Sequence, residues 1–235
     1  MKDSEDPRSM KTISDIRVYR SCVDNTDGNS LPEDFNNSRL NRVIHRIVMK
    51  LREKAFSFGE FDHLYINLTT CAVQNGFAPA KRSADKYHPW FRYYDAEVSK
   101  SLFDSLETEQ SIPSIVEIVE QMLLKFFSSP RFDAEAIHAC FFEATSLGEK
   151  MLVKFKEKRS NEVTATVYLR YLDSGLYEPL LMVCGSDDKL IFEKQLPKSI
   201  VLDAFGEIRI AKKRVTILPR RNSYSKERKP MVFTI

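Results

Sequence analysis

Two stretches with a helical repeat of apolar residues lie before residue 149, and after it the pattern changes to one of strands. Leu40, Val43, Ile44, Ile47, Val48 and Leu51 recur at i, i+3, i+4, i+7, i+8 and i+11, the stripe of an amphipathic helix, and Asn37 or Ser38 can cap its start. Ile115, Ile118, Val119, Met122 and Phe126 form a second stripe, with Ser114 and Glu117 at capping-box spacing and Pro130 after the end. Beyond 149, Val163, Ala165, Val167 and Leu169 alternate with threonines, Tyr168 and Arg170, which is the period of a strand. "LLMVC", "KLIFEK", "SIVLDA", "EIRIA", "RVTIL" and "MVFTI" are further short strand candidates. Helices and strands segregated along the chain in this way predict an α+β fold rather than an alternating one.

The first half fills in as βαββαα. "IRVYRSCV", "HLYINLTTCAV" and "WFRYYDAEV" read as strands, 76–89 as a loop, and 133–145 as a helix. The first helix is expected to stop near Gly59, which can take the left-handed cap. The expected architecture is N-terminal strands with two or three amphipathic helices packed on a sheet, followed by a β-rich C-terminal half. Its parts are a disordered or frayed 1–13, an α/β-type half over 14–148, and a β-rich half over 149–235 with a basic end; the two halves can also form one continuous domain.

The 235 residues are enough to bury a core without staples, and 43% hydrophobic with 29% charged is a globular balance. The N-terminus, "MKDSEDPRSMKT", has no apolar core of a secretory signal, and no apolar run approaches the roughly 20 residues of a membrane span. Cys22, Cys71, Cys140 and Cys184 are widely spaced, which suits reduced thiols and not a zinc site or a disulfide framework. The expectation is a soluble cytoplasmic protein without membrane contact.

Enzyme signatures are missing. With only 7 glycines there is no GxGxxG or GxxxxGK[ST] phosphate loop, and neither GxSxG nor HExxH occurs. "HAC" (His138, Cys140) is the nearest metal-like pair. A metal-dependent nuclease needs carboxylates converging on a cation. Asp133, Glu143 and Thr145, or Asp187 and Asp188, are the sets that could be pressed into that role. "GSDDK" has a simpler reading as a turn. No cofactor is expected, and the chain reads as non-enzymatic.

Charge is distributed unevenly. From Asp95 to Glu149 eleven acidic residues face three basic ones, and from Gly206 to Ile235 nine Lys/Arg face two Glu. Arg39, Arg42, Arg46 and Lys50 lie near one stripe of the first helix, which reads as a solvated face. Lys212, Lys213, Arg214, Arg220, Arg221, Lys226, Arg228 and Lys229, with Tyr224 interleaved, could bind phosphates and stack on a base.

"KYHPWFRYYD" carries the chain's one tryptophan. On a strand, Trp90, Arg92 and Tyr94 share one face and Phe91, Tyr93 and Asp95 the other. One face must enter the core; the other then offers Tyr, Trp and Arg, the residues that dominate protein-binding hot spots. Two readings follow. The first is a cytoplasmic protein-binding protein that meets a partner with a basic surface through Trp90, Arg92 and Tyr94 together with the acidic Glu117 and Glu120. In general character such a chain resembles small bacterial immunity and antitoxin proteins, and the resemblance implies a neutraliser or inhibitor. The second is a nucleic-acid-binding protein, or a degenerate nuclease, acting through Lys212, Lys213, Arg214, Arg220 and Arg221.

Overall fold

The computed structural model describes residues 10–21, 32–82, 86–222, 225 and 227–235. Cys22, most of the turn-rich segment before the first helix, Tyr224 and Lys226 lie outside them. Among the described residues the fold is α+β, with four helices and eleven strands in three sheets and a strand-rich C-terminal half. The chain forms two compact units, Met1–Gly148 and Glu149–Ile235.

In the first unit the strands are β1 (Asp15–Ser21), β2 (His63–Thr69), β3 (Phe77–Pro79) and β4 (Phe91–Glu97). They form one sheet in the order β1-β2-β4-β3, in which β1, β2 and β4 are parallel and β3 is antiparallel to β4. The segment 76–89 is therefore not all loop. Three of its residues form the edge strand β3.

Helix α1 (Ser38–Glu53) connects β1 to β2 and packs on β1. Its stripe is buried as the spacing requires: Leu40, Ile47 and Leu51 are fully buried and Ile44 nearly so. Each such side chain contributes about 1.5–3 kcal/mol. Asn37 caps the helix, its Oδ1 accepting the Leu40 N–H at 3.0 Å. The helix ends before Gly59. Ala55 takes the left-handed turn at φ 57°, while the Ala55 and Phe56 N–H groups bond back to Arg52 and Leu51. That is a Schellman closure without its usual glycine, fixed by the fully buried Phe56.

The remaining helices are α2 (Lys100–Asp104), α3 (Ile112–Phe127) and α4 (Ala134–Leu147). α3 starts earlier than its capping-box spacing implies, with Pro113 in the first turn, so Ser114 is not its cap. Ser111 holds the approach instead, donating to Leu106 O and Thr108 O. α4 is capped by Asp133, which accepts the Ala136 N–H at 2.9 Å. Of the basic stripe on α1, Arg39 is exposed and Arg42 half-buried, but Arg46 and Lys50 are buried, and α4 packs along α1. Lys50 Nζ sits 2.7 Å from Glu53 and 2.6 Å from Glu143 of α4.

The second unit opens with a four-stranded antiparallel meander. Its strands are β5 (Val153–Arg159), β6 (Val163–Tyr171), β7 (Tyr177–Gly185) and β8 (Leu190–Gln195). Ala165, Val167, Leu181 and Val183 pair across its two central strands and are fully buried. A three-stranded sheet follows in the order β11-β10-β9, made of β9 (Glu207–Ala211), β10 (Arg214–Leu218) and β11 (Met231–Thr234). β5 packs against β9. The candidate strand "SIVLDA" does not form. Only Ser199 makes a bridge, to Tyr177, and Ile200 is 74% exposed. Gly206 is required where it stands: a Cβ there would lie 2.4 Å from Pro219 O.

Candidate functional site

The central strand β2 carries two different faces. Leu64, Ile66 and Leu68 are fully buried on one of them. Across the parallel register they align with Ile16 and Val18 of β1 and with Arg92, Tyr94 and Ala96 of β4. The helices meet this face: Tyr94 packs against Phe126 and Phe127 of α3 at centroid distances of 5.0 and 5.5 Å.

The other face is polar and aromatic. The register sets Arg17, Tyr65 and Tyr93 in one row, Tyr19, Asn67 and Asp95 in the next, and Ser21, Thr69 and Glu97 in the last. Parallel sheets are ordinarily apolar on both faces because helices cover both. Here the ring contacts come from the strands themselves and the adjoining loop. Tyr65 meets Tyr19 at 5.6 Å, Tyr93 at 5.3 Å and Phe91 at 4.7 Å, and His88 stacks on Phe91 at 4.7 Å. Two arginines lie on the tyrosines: Arg17 is 5.7 Å from the Tyr65 ring and Arg82 is 5.0 Å from that of Tyr93. Such cation–π contacts are worth about 0.5–2 kcal/mol, more when water is excluded.

Burial dominates the proton chemistry. It pushes the Tyr65 phenol up to about 12 against the opposing charge of Arg17, and it raises Tyr19 in the same way. Both phenols stay neutral, hydrogen-bonding groups at physiological pH. Asn67 is buried, and its Nδ2 donates to Asp95 Oδ1 at 2.9 Å. Its Oδ1 is also buried and accepts no hydrogen bond among the described residues. A cleft lined by Tyr19, Tyr65, Asn67, Arg82, Tyr93 and Asp95 opens above it. At about 10 Å³ it has room for one water-sized group, far below the roughly 300 Å³ of a small-molecule site.

Of the residues singled out from sequence as partner-binding, Arg92 and Tyr94 lie on the helix-facing side of β4, and Glu117 and Glu120 lie on α3. Trp90 is half-buried in the turn before β4, with Lys11 Nζ 6.0 Å from its ring. Arg92 donates to Pro89 O and Phe91 O and lies 5.5 Å from the Phe61 ring. Glu117 is exposed on α3 and accepts from Gln121, while Glu120 pairs with His138 at 2.9 Å. Of the basic set, Lys212, Lys213 and Arg214 are brought together at the tip of the β9–β10 hairpin, and Arg220 and Arg221 lie past its other end. Sequence reading did not single out Tyr19, Tyr65, Asn67 or Arg82. The signal for the first three was present, since Tyr and Asn occupy alternate positions of "IRVYRS" and "HLYINLT".

The carboxylate sets considered for a nuclease do structural work. Asp133 caps α4 and Glu143 binds Lys50; ten helical residues put them about 15 Å apart along the axis. Asp188 takes a left-handed turn at φ 59° and Asp187 pairs with Lys189. His138 is exposed and Cys140 buried, so the two face different ways on α4, and burial raises the Cys140 thiol. Among the described residues no three His, Cys, Asp or Glu side chains gather as a metal site, and no helix is long and apolar enough to cross a membrane. No family model, curated protein or solved structure matches the chain.

Proposed function

We propose that this is a non-catalytic, cytoplasmic protein-binding protein that engages its partner through the polar and aromatic face of the first sheet. A partner lysine inserts its ammonium between Tyr19 and Tyr93. The observation that carries this reading is the buried Asn67 Oδ1 beside Asp95, two acceptors at the floor of an aromatic cleft too small for anything larger than one donor group. Burying an acceptor without a donor costs about 1–3 kcal/mol, which a partner's N–H would recover. Tyrosine rings add attraction for the same cation, as they already do for Arg17 and Arg82. Tyr and Arg around a desolvated polar centre are the composition of an interface hot spot. Neutralisation of a basic protein is the role that this chemistry fits.

The test is affinity capture from native lysate with and without nuclease treatment, comparing wild type with Asp95→Lys and Tyr93→Ala. A protein retained by wild type and lost by both variants supports the reading. Retention that survives both substitutions, or disappears on nuclease treatment, refutes it. A charge reversal of Glu117 and Glu120, on the helix side, should leave capture unchanged.

A further inference from the structure

We infer that the outer face of the β9–β10 hairpin binds the phosphodiester backbone of a nucleic acid. The two faces of this small sheet are unlike. Ile208, Val215 and Ile217 are buried on the inner one, aligned with Ile210, Met231 and Phe233. The outer one presents Arg209, Thr216 and Arg214, and all its arginines are exposed. At the tip, Lys212 turns the chain at φ 53°, so three consecutive cations project where the hairpin reverses. No acidic partner is recorded for Lys212, Lys213 or Arg214 among the described residues.

The far end is a second cation cluster. Gly206 lets the chain cross against Pro219, its N–H bonding Leu218 O at 2.7 Å, and Lys156 of β5 donates to Gly206 O. The Arg220 N–H is fixed to Asp203 O at 2.7 Å. Lys156 and Arg220 are thereby held close: burial first, then the charge of Arg220, depresses the Lys156 ammonium. Glu207 is a carboxylate within this cluster. Arg209 holds it at 3.1 Å, and the charges of Arg221 and Lys158 also act on it. The Asp203 carboxylate accepts from Asn222.

Five residues of strand separate the two clusters, about 17 Å, with Arg209 between them. A row of cations of this length matches a repeating anion better than a single one. Apart from the exposed Val232, this face offers no large apolar anchor, so attraction here must come from charge. That distinguishes a phosphodiester chain from an acidic protein surface, which needs aromatic or aliphatic anchors, and from a bilayer, which needs inserted apolar groups.

The experiment is fluorescence anisotropy of the full chain with a labelled 20-nucleotide single strand and its duplex. For four phosphates neutralised on a single strand, raising salt from 50 to 200 mM should weaken binding about fiftyfold. The triple variant Lys212→Ser, Lys213→Ser, Arg214→Ser should weaken binding about tenfold and lower the salt slope by about 2. Arg220→Ser with Arg221→Ser tests the other end independently, and Glu207→Gln should strengthen binding. All six positions are exposed, and matched circular dichroism melts establish that each variant is folded. Absence of binding at 50 mM salt, or affinity unchanged in both basic variants, overturns the inference. So does equal affinity for polyglutamate or for phosphatidylserine vesicles.

Discussion

Replacing Lys50 by methionine keeps the apolar stem and removes the charge that joins α1 to α4. Lys50 is 6% exposed, and its ammonium bridges Glu53 at 2.7 Å and Glu143 at 2.6 Å. The substitution leaves two carboxylates facing each other across the position of the ammonium. Breaking a buried ion pair costs about 3–5 kcal/mol. The Glu143 side chain is 37% exposed and can turn toward water, which places the cost at the lower end, about 3 kcal/mol. Glu143→Gln leaves Lys50 bound to Glu53 and should cost about 1.5 kcal/mol. The double variant should then be more stable than the sum of the two predicts, by about 1 kcal/mol or more.

Trp90 is the chain's one tryptophan and lies in the first unit, so its fluorescence in urea follows that unit alone. For about 150 residues, 3 kcal/mol corresponds to a fall in Tm of about 6–12 °C. Burial opposes the charge on Lys50, but its hydrogen bonds to Glu143 and Glu53 outweigh this and raise its pKa. A raised pKa contributes stability fully below the unfolded value of about 10.4, lost only as pH rises through the folded one. The deficit of Lys50→Met should therefore be constant from neutral pH to about pH 9 and shrink only in strong alkali. A Lys50→Met protein within about 0.5 kcal/mol of wild type, or a strictly additive cycle, would refute the argument.

Three further outcomes are expected from the same urea assay. Asn37→Ala should cost about 2 kcal/mol, since it removes both the α1 cap and the Nδ2 bonds to Leu106 O and Thr108 O; Asn37→Asp, ordinarily a good cap, should be worse, because it turns a carboxylate toward those carbonyls. Ala55→Gly should raise stability by about 1 kcal/mol, relieving a left-handed alanine at the end of α1. Burial lowers the His45 pKa, with Arg52 and Arg46 adding to it and Asp15 opposing. The unfolded chain thus takes up the proton first, and stability is lost as pH falls from about 6.5 through the folded value. His45→Asn should flatten that acid slope between pH 7 and 5, and an unchanged slope would show that other groups carry it.

Periodicity alone determined the longer elements and the fold class, though it missed β3 and α2 and offered a strand at "SIVLDA" that does not form. The apolar stripe of α1 and the alternation of β2 and β6 depend on residues a few positions apart, so short-range geometry is enough to read them. What the sequence left open was which side of each element faces inward. Alternation separated Arg92 and Tyr94 from Tyr93 and Asp95, but only the packing of Phe126 and Phe127 onto Tyr94 decided that the second pair belongs to the polar face. Arg46 and Lys50 look like a solvated stripe until α4 brings Glu143 against it, and nothing local to α1 encodes that contact. The tail shows the same limit. Lys212 to Arg221 are neighbours in sequence, yet the hairpin separates them into two clusters and joins the far one to Lys156 of β5. Spacing fixes which side chains share a face; long-range contacts, set by burial of the whole core, fix what that face meets.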